Sequence, residues 1–251
     1  MTQAESPMCD FCRGAIAGEV CRRQNLRTRE VVSFHPDCFE RVQAEIRSRK
    51  DDALQRIADR FEACWVGPDG FDAAVPNWPY ARFENAAFRK LSSAVIVDAL
   101  ERWKPAEGSL ILSARTGAGK TAGCVAKLCQ LRAQAEKTFD PRLLPSFLFT
   151  TAAQLGAARR QQRLGTGESY LVDQAMHRDL LVLDEIGFEV VDGVAFEVID
   201  ARYRKQLPTL VTTGLKPADF AQRYGSAAWR RLTESGAVVE DHGRELKIAA
   251  R

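Results

Sequence analysis

The segment "LILSARTGAGKTAG" (110–123) sets Gly119, Lys120 and Thr121 between an apolar run and a stretch of helical character. That order suits a phosphate-binding loop. Such a loop needs backbone N–H groups exposed in a turn at a helix N-terminus, a lysine against the terminal phosphates and a hydroxyl for Mg²⁺. Thr116, Gly117, Ala118 and Gly119 would form the turn, Lys120 the cation and Thr121 the magnesium ligand. The usual pattern opens with a glycine five positions ahead of the Gly-Lys-Ser/Thr step. Ala114 stands there instead, and a methyl group is the smallest possible intrusion. Strand–loop–helix context favours an ATP site over a turn that is merely rich in small residues.

A second segment, "DLLVLDEIG" (179–187), is an apolar run that ends in two carboxylates. Successive strand side chains point to opposite faces, so the pair can divide the work. Asp184 is expected to hold Mg²⁺ through water, and Glu185 to orient the attacking water. On its own an Asp-Glu pair is weak; about sixty residues behind a phosphate loop it becomes specific.

Near the N-terminus, Cys9 and Cys12, then His35 and Cys38, give the spacing C-x2-C-x22-H-x2-C. Two ligand pairs, each borne on a tight turn, are what tetrahedral Zn²⁺ requires, and a closed set of four leaves no catalytic position. Cys21 is an alternative ligand within the long loop. Arg22, Arg23, Arg27 and Arg29 lie in that loop and can meet phosphates, or simply keep it soluble. A module this short needs the metal for its folding energy.

These residues require elements to hold them. "SLILSA" (109–114), "SFLFTT" (146–151), "LLVLDE" (180–185) and "TLVTTG" (209–214) read as strands, with "VAFEVIDARYRKQ" (194–206) among the helices between them. Nearly continuous apolar strands alternating with helices predict an α/β fold, a parallel sheet covered on both faces. The 3–4 spacing of Phe39, Val42, Ile46, Leu54, Ile57 and Phe61 predicts a helix over 38–63. The Pro- and Gly-rich stretch 66–80 interrupts any helix. The expected organisation is therefore a zinc module and helix (1–63), a linker (64–80) and the nucleotide-binding core (81–251). The net charge of +3 is too small to select a partner. Without a signal-like or spanning apolar run, and with an odd count of seven cysteines, a cytoplasmic protein is expected.

Five segments, in order, resemble the AAA+ ATPases, specifically the DnaC/IstB branch of helicase loaders and transposition helpers. "WPYARFENAAF" is similar to the lead-in, "GSLILSARTGAGKT" to Walker A and "DLLVLDEIG" to Walker B. "PTLVTTGLKPADF" is similar to the sensor 1 strand, and "RYGSAAWRRLTESGAVVEDHGRELK" to the terminal arginine box. The resemblance implies a P-loop sheet without a full helical lid, and ATP-dependent self-assembly. It further implies an arginine finger acting in a neighbouring subunit, Arg231 in preference to Arg230. The implied partners are a replicative helicase, gripped through the N-terminal region, and single-stranded DNA, met by Arg159, Arg160 and Arg163. Two departures bear on turnover: Ala114-Arg115 replaces the usual Gly-Pro, and Thr212-Thr213-Gly214 replaces Thr-Ser-Asn. The asparagine helps place the attacking water, so slow hydrolysis is expected. The zinc arrangement, with "FHPDCF", is similar to half of a LIM domain. An IstB-like helper coating duplex DNA and a non-hydrolysing adaptor are the alternatives.

Overall fold

The computed structural model describes residues 8–16, 19–24, 30–65, 80–163, 165–190, 193–234 and 236–243. Most of the expected linker (66–79), and Arg27 and Arg29 of the basic loop, lie outside the described residues. The chain divides into two compact units, Met1–Arg56 and Ile57–Arg251.

In the first unit, β1 (Cys21–Gln24) and β2 (Val31–Phe34) form an antiparallel pair, with Cys21 opposite Phe34. Helix α1 (Pro36–Trp65) starts immediately afterwards; Pro36 suits a first helical position and Asp37 complements the positive end of the helix. Among the described residues of this unit, those buried are Cys9, Ile16, Phe34 and Cys38. So small a cluster cannot offset the chain entropy lost on folding, and half of it is cysteine.

The last turns of α1 belong to the second unit. Ile57, Phe61 and Cys64, spaced four and three apart, are buried in its core. The Phe61 ring lies 5.4 Å from that of Phe147, with the Arg132 guanidinium 4.9 Å from it.

The second unit continues with α2 (Ala86–Leu91), α3 (Ala94–Arg102), β3 (Ser109–Ala114), α4 (Lys120–Thr138), β4 (Phe147–Thr151), α5 (Ala152–Gln161), α6 (Tyr170–His177), β5 (Leu180–Ile186), α7 (Val194–Arg204), β6 (Thr209–Thr213), α8 (Pro217–Tyr224), α9 (Ser226–Glu234) and β7 (Gly236–Asp241). The five strands β3 to β7 form one parallel sheet in the order β4-β5-β6-β3-β7. Alternation decides which face each side chain serves. Leu110, Leu112, Val182 and Leu210 enter a core with α3 and α4, while Ile111, Leu181, Leu183 and Val211 enter one with α5, α6 and α7. The architecture is the expected one: a P-loop parallel sheet covered on both faces, with a small Cys/His module and a helix ahead of it. Strand β7 was not among the predicted strands; it is a half-exposed edge, so "GAVVED" lacks the continuous apolar signal of its neighbours. Among the described residues no helical lid follows it, and no helix is long and apolar enough to cross a membrane.

Two features lock the sheet. Arg202 is 1% exposed, and its guanidinium donates to the carbonyls of Ala175, Arg178 and Pro208 and to the Thr209 hydroxyl, tying α6 and α7 to the start of β6. Burial pulls its pKa down to about 9, so these four acceptors hold the cation against its desolvation. At the β7 edge, Gly236 lies so close to Ser109 that an added Cβ would overlap the Ser109 carbonyl. Because the obstacle is backbone, Gly236→Ala should lower unfolding stability by about 1–3 kcal/mol in chemical denaturation. A loss below about 0.5 kcal/mol would mean that β7 does not dock this tightly on β3.

Candidate functional site

The end of β3 leads into the turn 115–119, which reverses into α4. Gly117 and Gly119 have φ of +80° and +84°, the region that only glycine enters without strain. Space also limits Gly119, since a Cβ there would come within 2.6 Å of Ser92 Cβ. The neighbouring Ser93 N–H donates to Ala118 O at 3.0 Å, so the α2–α3 connection clasps the loop from outside. Ala114 is fully buried and its methyl belongs to the hydrophobic core. It does not line the cavity above the loop, and the departure from glycine leaves that face of the loop unchanged.

That cavity measures about 580 Å³, within the range of small-ligand sites. Thr116, Gly117, Gly119, Lys120, Thr121 and Glu185 line it, with Tyr80, Leu91 and Phe188 adding apolar wall. Ala118 and Asp184, 2% and 3% exposed, lie beneath rather than on its surface.

Asp184 is the hub. Its carboxylate accepts from the Thr121 hydroxyl, 3.1 Å to each oxygen, and from the Thr212 hydroxyl at 2.5 Å. Burial raises its pKa, opposed by those two hydroxyls and by the Lys120 charge. Lys120 is shifted down, again by burial, although Asp184 and Glu185 pull it back. Its ammonium donates to the carbonyls of Ala114 (2.6 Å) and Arg115 (3.0 Å). A lysine, a hydroxyl and a buried carboxylate thus converge where a phosphate and its divalent cation would need them.

The adjacent carboxylate is re-aimed by the backbone. The pairing of β5 with β6 slips between Leu183 and Ile186, and Glu185 takes φ +54°. A bulge with a strained residue turns a side chain out of the sheet. Glu185 is accordingly exposed towards the cavity, while its N–H donates to the Thr212 hydroxyl at 2.9 Å. Thr212, named from sequence only as part of the sensor 1 segment, contacts both acidic residues; a threonine within a strand carries no local signal of such a role. Thr213, beside the position where the asparagine is absent, donates to Ile186 O and accepts from Leu215 N–H. Gly214 lines the cavity without a side chain, and a Cβ there would lie 3.3 Å from the Phe188 ring.

The arginines separate clearly. Arg231 turns inward to an ion pair with Asp200 at 2.6 Å, and lies 5.1 Å from the centre of the Phe196 ring. Arg230 is on the solvent side, with Glu234 at 3.2 Å. Of the three arginines expected to meet DNA, Arg159 is engaged by Glu168 and Glu197, whereas Arg160 and Arg163 are exposed. His242 bonds the buried Ser113 hydroxyl at 2.7 Å.

In the first unit, Cys9, Cys12, His35 and Cys38 come together, with their ligand atoms all within 4.8 Å of one another. His35 Nε2 bonds the Ala15 carbonyl at 3.0 Å, which directs Nδ1 to the sulfurs; Cys12 Sγ is 3.4 Å and Cys38 Sγ 3.9 Å away. Anchoring of the distal ring nitrogen by a carbonyl is how metal-binding histidines are oriented. Burial raises the Cys9 thiol, but the N–H groups of Cys12, His35 and Phe11 prevail and hold it at about 6. Burial and the neighbouring thiols push Cys38 up to about 11, a crowding of charge that a divalent cation would relieve. Cys21 sits on β1 outside the cluster, so it is not the fourth ligand. Protein purified without chelator should carry about one zinc per chain, lost in Cys9→Ser and Cys38→Ser and kept in Cys21→Ser. Metal analysis finding none in the unaltered protein would refute the assignment.

No family model and no curated protein matches this chain. Solved structures that resemble it include DnaI, 19% identical over 59% of this chain and 79% of that one, with a TM-score of 0.44. The DnaC helicase loader is 19% identical over 62% and 98%, with a TM-score of 0.45. DnaA from Aquifex aeolicus, bound to AMPPCP, is 20% identical over 64% and 50%, with a TM-score of 0.45.

Proposed function

We propose that the chain is an ATP-dependent helicase loader of DNA replication, of the AAA+ type. The observation carrying this reading is the Asp184 hub beneath a lysine-bearing phosphate loop, with Glu185 on the wall of the same cavity. The order of the five sequence segments supports the loader branch. In this reading the N–H groups of Thr116–Thr121 and the Lys120 ammonium bind phosphates, and Thr121 and Asp184 hold Mg²⁺. The cation would supply charge neutralisation at the phosphates; Glu185 orients the attacking water.

The zinc module grips the replicative helicase, the ATPase core meets single-stranded DNA, and ATP drives self-assembly. Arg231 is the finger expected from sequence. To act in a neighbouring subunit it must leave Asp200, whereas Arg230 needs only to exchange an exposed contact. Restoration of turnover by mixing an arginine variant with a Lys120 variant identifies which of the two acts in trans.

A specific observation favours a second reading, a nucleotide-binding adaptor that does not hydrolyse. Gly214 presents no side chain, and Thr213 is committed to backbone partners.

Lys120→Ala should weaken ATP binding at least about tenfold in calorimetry. Glu185→Gln should keep binding and lose about a hundredfold in turnover. ATP binding by the unaltered chain with no turnover, alone or with helicase, selects the adaptor. Burial makes ionised Asp184 a cost to the fold above the ordinary carboxylate range, because its folded pKa is raised. Asp184→Asn should therefore melt about 2 °C higher or more at neutral pH while losing magnesium-dependent ATP binding. A lower melting point would contradict that assignment of charge. Affinity capture with Glu185→Gln and ATP tests the partner: a hexameric helicase supports loading, and a transposase replaces it with transposition.

A further inference from the structure

The zinc-module unit carries a feature that helicase gripping does not require. Between β1 and α1 runs an open groove of about 920 Å³. Arg22 and Arg23 line it from the strand, and Arg41 and Arg47 from the helix. All four are exposed, and among the described residues the groove's one carboxylate is Glu40. The half-buried ring of Phe39 also lines it, braced by Phe34 at 5.9 Å between ring centres.

We propose that this groove binds the phosphodiester backbone of single-stranded nucleic acid, independently of ATP. Among the described residues every cation here is an arginine, whose planar fork pairs with two phosphate oxygens at once. Cations face one another from two elements, so a linear polyanion can run between them. The fixed aromatic at the wall offers a stacking surface to a base of any identity, the usual companion of a basic groove in single-strand binding. An acidic protein segment would use the charges and leave Phe39 without a role. Gln43 also lines the groove, but the four guanidiniums outnumber it, and phosphate contacts position a strand without reading its sequence.

The test uses the full chain without nucleotide, a fluorescein-labelled 15-nucleotide single strand and anisotropy across a salt series. Arg22→Glu with Arg23→Glu, and separately Arg41→Glu with Arg47→Glu, should each weaken binding about tenfold or more. With neutral Gln at the same pairs, the slope of log affinity against log salt should fall by about 1.4, two contacts at roughly 0.7 each. Glu40→Gln should tighten binding roughly twofold, a change that misfolding cannot produce. The same values should hold in Lys120→Ala, which separates this groove from the ATP-dependent grip proposed for the core. Unchanged affinity and slope in both arginine pairs would overturn the proposal. So would a polyglutamate 15-mer that binds where the oligonucleotide does not, which would assign the groove to an acidic protein.

Discussion

A carboxylate taken out of water must be compensated where it sits, and Asp184 meets that requirement with hydroxyls from two different elements. Thr121 lies in the first turn of α4 and Thr212 near the end of β6, so their bonds to one side chain fix the phosphate loop, the acidic strand and the neighbouring strand as a unit. The rest of the cavity follows from that fixing. Thr212 also receives the Glu185 N–H, which is possible only because β5 slips its register and sets Glu185 in the left-handed region. One threonine therefore sets both the acid that stays buried and the acid that turns outward.

Much of this could be read from residue order because the signals were local. The four predicted strands lie where continuous apolar runs placed them, and α1 where the 3–4 spacing did. The four zinc-type ligands are drawn together as their spacing implied. What escaped depends on contacts between distant segments. Thr212 looks like any strand threonine until β6 is laid beside β5. The harmlessness of Ala114 depends on its methyl entering the core, a matter of strand register rather than residue type. The direction of Arg231 depends on Asp200 in α7, which no spacing rule connects to α9. Edge strand β7 escaped because half exposure erases the apolar run.

Arginine serves the molecule in two opposite ways. Arg202 is sealed among carbonyls and a hydroxyl, where its five fixed donors suit it to join three segments at one point. A lysine could not span those acceptors. In the groove beside α1 the same guanidinium chemistry faces water, with Arg41 set 5.6 Å from the centre of the Phe11 ring. Burial and partner geometry, not residue type, separate the structural cation from the recognising one.

The strand order also has a consequence for biosynthesis. β3 is the first strand of the large sheet to be made, yet both its neighbours, β6 and β7, come after β4 and β5. Thr209, whose N–H reaches the Ser109 hydroxyl, follows it by 100 residues. At bacterial and eukaryotic translation speeds, that interval lasts about 5–20 s. Throughout it the apolar run Ser109–Ala114 has neither edge partner, although the loop it feeds has already been synthesised. The nucleotide cavity thus cannot take shape until β6 has been made. A ribosome that stalls before β6 would hold an aggregation-prone strand in search of a partner.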